Sequence, residues 1–185
     1  MLKMKRYIVV ILAAMMMIMM ACRPVGSGSS RGSIPREYHT AYIQSYGQCY
    51  DSVPYNVVSL DLYSGKLDLD DSLDIMKGTG YNLYLSDIFI PGTTLEPGTY
   101  RSSTSAEPFT FLPGRDYEGT PHGLYVLYVE EDKLQTIQVL DSGTMVVRDT
   151  TNNLIDLQFT LYFRNSYGGK ATYRTHFQGK LQEKE

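Results

Sequence analysis

The sequence predicts an all-β protein: an antiparallel β-barrel or β-sandwich of about nine or ten strands, built from hairpins. Three observations carry this expectation. Apolar residues alternate with polar ones at period two through most of the chain, and no stretch holds a convincing helical period. Turn residues (Pro, Gly, Asn, Asp, Ser) interrupt that alternation at roughly 8–12-residue intervals. The composition is rich in Tyr and Thr with no Trp, and aromatic residues make up 12% of it, which suits half-buried pleated surfaces.

The chain begins differently. Lys3, Lys5 and Arg6 precede an unbroken apolar run from Tyr7 to Met20, then the small residue Ala21 and a cysteine, Cys22. A membrane-spanning helix needs about 20 apolar residues. This run stops short of that, before Arg23 and Pro24, and fits the core of a secretory signal. Met19-Met20-Ala21-Cys22 resembles the lipobox of bacterial lipoproteins, with Met19 where leucine is usual. The resemblance implies a signal peptide over residues 1–21 and a Cys22 that is fatty-acylated (palmitate-type) and becomes the mature N-terminus. It also makes the membrane a partner through a lipid anchor. Residues 22–37 then form the anchor and a Gly/Ser linker, expected to behave as a flexible coil. Residues 38–185 form a single antiparallel β domain. In lipoprotein sorting, Asp after the cysteine retains the protein at the inner membrane, so Arg23 predicts the outer membrane. The acidic residues that accompany surface export are missing from residues 23–26, which favours a periplasm-facing protein.

Removing Lys3, Lys5 and Arg6 from the 17 basic residues leaves 14 against 20 acidic ones, a net charge of −6. That argues against nucleic acid as a partner, because no excess of cations is there to neutralise phosphate. With Cys22 acylated, Cys49 has no second thiol to pair with, so the expected fold rests on its core alone.

Taking the β region in order, Tyr42, Gln44, Tyr46, Gln48 and Tyr50 share one face of the first strand, and Ala41, Ile43 and Ser45 the other. Val58, Leu60 and Leu62 alternate with Ser59, Asp61 and Tyr63 before a turn at Ser64-Gly65-Lys66. The acidic stretch 68–74 allows at most a helical turn, near residues 70–76. Leu83 and Leu85 alternate with Asn82 and Tyr84, and Ile88 to Ile90 runs to Pro91-Gly92. Thr99-Tyr100 and residues 109–111 are short strands. Residues 123–130 and 134–140 flank Glu131-Asp132-Lys133 as a hairpin, and residues 143–148 follow. The strongest pair is last: Ile155, Leu157, Phe159, Leu161 and Phe163 face one way, and Tyr173, Phe177 and Leu181 return to meet them.

Tyr46-Gly47, the alternation from Asn56, Leu95-x-x-Gly98-Thr99-Tyr100, Ser142-Gly143-Thr144 and Gly179-x-Leu181 together resemble a group of small Bacteroidetes cell-envelope lipoproteins. That resemblance covers about residues 38–181. It implies an antiparallel β fold in the envelope and brings no catalytic residues. The pattern is also distantly similar to lipocalin-like (calycin) barrels, although the Gly-x-Trp signature is impossible without Trp.

Chemistry is sparse. Asp68, Asp70 and Ser72 have the 1-3-5 spacing of a calcium loop with Asp74 at position seven. Position six is Leu73 instead of Gly and position twelve is Thr79 instead of Glu, so the EF-hand reading fails and no metal or cofactor is expected. Asp116, Glu118, Glu130, Glu131 and Asp132 fall in predicted turns. As partners for a nucleophilic Cys49, His39, His122 and His176 are scattered along the chain, and no catalytic signature surrounds the cysteine. Tyr42, Tyr46 and Tyr50 are the hint of recognition, since phenols offer an apolar face and a polar tip to glycans or proteins. The expected function is therefore a non-enzymatic binding or assembly module of the envelope, with a small apolar-ligand carrier built as a hollow barrel as the alternative. Replacing the anchor residue, Cys22→Ala, is expected to abolish incorporation of a fatty-acid analogue in metabolic labelling. Undiminished label would remove the lipoprotein assignment.

Overall fold

The computed structural model describes residues 34–70, 72–73, 75–149, 154–164 and 168–184. The expected signal peptide, Cys22 and most of the expected linker therefore lie outside the described residues. The described residues contain strands and turns and no helix. The strands are β1 (Glu37–Tyr38), β2 (Thr40–Gly47), β3 (Asn56–Tyr63), β4 (Asp68–Asp70), β5 (Ile75–Lys77), β6 (Gly80–Ile90), β7 (Gly98–Ser102) and β8 (Thr110–Phe111). They continue with β9 (Arg115–Tyr117), β10 (Thr120–His122), β11 (Leu124–Glu130), β12 (Lys133–Val139), β13 (Ser142–Asp149), β14 (Ile155–Arg164), β15 (Lys170–Gly179) and β16 (Gln182–Glu183). The expected all-β class is what the chain adopts. The helical turn allowed near residues 70–76 is instead the small hairpin β4–β5.

The main sheet runs in the order β1-β15-β14-β13-β7-β8-β6-β3-β2-β16, with β11 joined to β6 and β12 to β11. It is a curled, mixed sheet forming a half-barrel, where the sequence predicted purely antiparallel pairing. Three pairs are parallel: β1 with β15, β16 with β2, and β7 with β8. The first two share one cause. β1 and β2 are separated only by His39, and β15 and β16 only by Lys180 and Leu181. Glu37 and Tyr38 sit opposite His176 and Phe177, and further on Tyr42 and Ile43 sit opposite Gln182 and Glu183. The first and last segments of the domain thus run side by side in the same direction. In the third pair, the loop between β7 and β8 carries the chain back, so that Arg101 and Ser102 meet Thr110 and Phe111 in parallel.

Alternation decides what the curl encloses. Val58, Leu60 and Leu62 of β3, Leu83 and Leu85 of β6, Leu124 and Val126 of β11, Met145 and Val147 of β13, and Leu157, Phe159 and Leu161 of β14 all point inward. They form one continuous cluster with Tyr100, Phe111, Tyr173 and Phe177. Three of its members, Tyr38, Tyr100 and Tyr173, bring phenols inside; the Tyr100 phenol donates to the Glu96 carbonyl at 3.1 Å. The Tyr173 phenol donates to the Pro35 carbonyl at 2.7 Å and lies 2.9 Å from the Tyr38 phenol. Burial and the neighbouring Tyr173 hold the Tyr38 phenol well above its ordinary pKa, so it stays a neutral donor inside.

A smaller cluster lies on the other face of the sheet. There Tyr42, Tyr63, Leu67 and Val129 are buried, with Leu69 and Met76 packed against them, under the β4–β5 hairpin. The β11–β12 turn is pinned beside it. Glu131 and Asp132 both have positive φ (50° and 64°), the geometry of a two-residue hairpin turn that keeps the right-handed twist. The Asp132 amide donates to the Gly78 carbonyl at 3.0 Å, and its carboxylate accepts from the Gly78 amide.

In the final hairpin Leu157 sits opposite Phe177 and Phe159 opposite Thr175, and both phenylalanines are fully buried. Phe159→Ala or Phe177→Ala is expected to cost about 3–5 kcal/mol through lost transfer energy and the cavity left behind. Tyr162→Ala, on the exposed side of the same strand, should stay within about 0.5 kcal/mol. Denaturant melts of the three variants check both halves of the statement.

Candidate functional site

Two interruptions of the alternation shape the outer face. On β2 the register with β3 shifts between Ser45 and Gly47, so that Tyr46, already on the outer face, has no residue of β3 paired with it. On β6 the pair Ser86 and Asp87 stands opposite Ser59 alone, because Leu60 meets Leu85 while Val58 meets Ile88. Such a bulge adds a residue to one strand and re-aims its side chain. Here it is Asp87, at φ +50°, a left-handed conformation that Asp tolerates better than most residues.

The result is a depression of about 420 Å³, open to solvent, lined by Tyr46, Tyr50, Tyr84, Asp87, His122 and Tyr125 among others. Tyr84 and Tyr125 are opposite each other on β6 and β11, with ring centroids 5.0 Å apart and planes tilted by 36°. The Tyr46 phenol is 2.9 Å from the Gln44 side-chain oxygen and 3.4 Å from the Ser59 hydroxyl. The Tyr50 ring packs 6.2 Å from Phe89 and its phenol donates to Asp87. The other Asp87 oxygen accepts from the Ser86 hydroxyl at 2.8 Å. Gly123 closes one side at φ +75°, where a Cβ would collide with the Pro113 carbonyl, so the backbone there admits only glycine.

The electrostatics favour neutral phenols. The Asp87 hydrogen bond, above all, pushes Tyr50 up to about 12. Burial and then the Asp61 charge push Tyr125 up to about 12. Burial, Tyr46 and Asp61 push Tyr84 higher still. Among the described residues, no Lys or Arg lines the depression.

The three tyrosines singled out in the sequence are divided by the fold. Tyr46 and Tyr50 are 45% and 42% exposed and line the depression, whereas Tyr42 is only 6% exposed. Tyr42 shares the β2 face of Tyr46 but lies under the β4–β5 hairpin, edge-on to Tyr63 at 5.8 Å. Ile43 points the other way, against the interior cluster. Tyr84, Tyr125 and Asp87 were not singled out. The one local signal was for Asp87: the step from Leu83 and Leu85 to Ile88 and Ile90, a spacing of three where the strand demands two.

The remaining candidates separate. Cys49 is free and exposed on the rim of the depression together with His122. His176 instead lies by β1, 3.8 Å from the Glu37 carboxylate. Asp70 is bound to Lys77 and accepts from the Ser72 hydroxyl at 2.6 Å, which draws its carboxyl down to about 2. Asp71 and Asp74 lie outside the described residues. The Asp116 carboxylate caps its own turn by accepting from the Gly119 amide at 2.7 Å. Among the described residues, no group of three or more His, Cys, Asp or Glu side chains is placed to hold a metal. Searches against protein families, curated proteins and solved structures return no match.

Because Tyr50 is raised above the ordinary tyrosine value of about 10, its neutral form belongs to the folded state. That contribution is complete below pH 10 and fades as pH passes through about 12. A spectroscopic tyrosine titration should therefore show a late-ionising group that disappears in Tyr50→Phe and moves toward the ordinary value in Asp87→Asn. An unchanged titration curve in both variants would mean that Tyr50 does not hold Asp87.

Proposed function

We propose that this chain is an outer-membrane lipoprotein, anchored through Cys22 and related to small Bacteroidetes envelope proteins, that acts as a non-enzymatic binding module of the envelope. The depression on its outer face is the binding site. One observation carries the reading: four tyrosines and a carboxylate from three separate parts of the chain converge on an open depression that, among the described residues, no Lys or Arg lines. Sites that recognise ligands combine aromatic surface with a few placed polar groups, at volumes of roughly 300–1,000 Å³.

The position of the site supports the reading. The described chain enters at Ile34, against β15, where the His176 amide donates to the Arg36 carbonyl at 3.1 Å. Tyr46 lies at the other end of the continuous β1–β2 path. At about 3.3 Å per residue, the two ends are some 30 Å apart. The described chain thus starts at a point distant from the depression along the strand path.

Two further facts weigh against the alternatives. The inside of the curl is occupied by a continuous cluster of Leu, Ile, Val and aromatic side chains, whereas a carrier needs a hollow one. Glycoside hydrolysis needs two carboxylates flanking the substrate, and the lining of the depression has one, Asp87, already engaged by Tyr50 and Ser86.

Delipidated envelope fragments should co-sediment with the protein, and Tyr46→Ala combined with Tyr50→Ala should release it by about tenfold or more, the loss typical of removing central contact aromatics. Equal sedimentation of the variant and the parent protein would remove the depression from the function.

A further inference from the structure

We propose that the depression takes a ring of a neutral oligosaccharide, a proposal that rests on its being the binding site of an envelope module. The argument starts from charge. Asp87 is in the lining, Asp61 stands close enough to raise both Tyr84 and Tyr125, and no Lys or Arg lines the site to balance them. Phosphate, uronic acids and other anions are repelled.

Next comes hydrogen-bonding capacity. Each ionised carboxylate oxygen has two acceptor positions. On Asp87 the Tyr50 phenol occupies one oxygen and the Ser86 hydroxyl the other, which leaves each oxygen one position for a ligand donor. The carboxylate is held by the bulge and by these two bonds, so it is oriented before any ligand arrives. The phenols supply the complementary groups. Tyr46 lies at the mouth and, through Ser59, beside Tyr84, and the raised Tyr84 and Tyr125 stay protonated as donors. A vicinal pair of sugar hydroxyls, each both donor and acceptor, matches an oriented acceptor beside neutral phenols. A ligand with acceptors only does not.

The apolar component follows. A sugar ring carries C–H groups on its faces, and tyrosine rings bury such groups while keeping their hydroxyls wet. The Tyr50 ring backed by Phe89 and the cross-strand pair Tyr84–Tyr125 provide that surface. The depression is open along its side, so it admits one unit of a longer chain.

An organic cation is the chemical competitor, because aromatic rings beside a carboxylate also attract ammonium groups. A tetraalkylammonium group has neither donors for the open positions on Asp87 nor acceptors for the neighbouring phenols, whereas a sugar hydroxyl has both, which favours the hydroxyl ligand.

The test uses the mature full-length lipoprotein in a polyoxyethylene detergent, which has no sugar headgroup. Neutral gluco-, manno- and N-acetylglucosamine oligosaccharides are titrated by calorimetry, beside oligogalacturonate and tetramethylammonium chloride. Alkylation of Cys49 by a maleimide, on the rim of the site, is followed in parallel. The expected result is binding of at least one neutral oligosaccharide, slower alkylation of Cys49 in its presence, and no competition from the acid or the ammonium salt. Asp87→Asn keeps a residue that accepts positive φ, and Tyr46→Ala changes an exposed side chain. Each should weaken binding about tenfold or more at an unchanged melting temperature. Binding of no neutral oligosaccharide, preference for the acid or the ammonium ion, or full affinity in both variants would overturn the proposal. Tyrosine-dependent sedimentation with envelope fragments but no neutral-sugar binding would refute the sugar and leave the envelope reading standing. Loss of both would remove the two together.

Discussion

The structure depends on the pairing of its first segment with its last. Glu37 to Ile43 lies parallel to His176 to Glu183, and this contact forces the sheet to curl. Every inward-facing residue from β3 to β15 acquires neighbours because the curl exists. With the ends apart, the sheet would present one apolar face to water, which is the situation a layered fold exists to avoid. Tyr38 sits at this junction, fully buried, and its phenol meets that of Tyr173 from the other segment. A polar contact within an apolar interior is costly to leave unmade. The Tyr38–Tyr173 contact therefore specifies register where hydrophobic packing alone would permit sliding.

The same curl gives the outer face its character. Strands that turn their apolar sides inward show the opposite set of residues outside, and here that set is unusually aromatic. Two treatments of the aromatic face coexist. At one end Tyr42 and Tyr63 are covered by the β4–β5 hairpin and become a satellite core. At the other end Tyr46, Tyr50, Tyr84 and Tyr125 remain around open space. The difference comes from the connections: the β4–β5 hairpin packs across the sheet, while the bulge at Ser86 and Asp87 bends β6 and leaves the surface concave.

Period-two alternation was legible wherever one face meets the core. Ile155 to Leu161, with Tyr173 and Phe177 opposite, could be read directly, because a slip of one residue would invert every side chain. Pairing between distant strands was not legible. Tyr84 and Tyr125 belong to strands recognised separately, and nothing local in either segment says that they are neighbours. The parallel pairs escaped for a related reason: hairpin signals report antiparallel contacts between consecutive strands and are silent on the meeting of chain ends. Period two groups Tyr42 with Tyr46 and Tyr50, but only Tyr42 and Tyr46 share a face of β2, and Tyr50 lies beyond its end at Gly47. What separates them is a lid supplied by a later loop. The β4–β5 and β9–β10 hairpins are three residues per strand, too short for alternation to register.

The meeting of the two ends also constrains how the domain is made. His176 and Arg36 are bonded across 140 positions of sequence, nearly the full length of the domain. Contacts so remote in sequence slow folding, because a long loop must be closed before the pairing repays it. A chain delivered N-terminus first exposes β1 and β2 long before β15 arrives. Until then, Tyr38 lacks its phenol partner and the edge of β2 is unpaired. Completion therefore waits until β15 and β16 have emerged, and until then the half-made sheet keeps unpaired strand edges and exposed apolar surface.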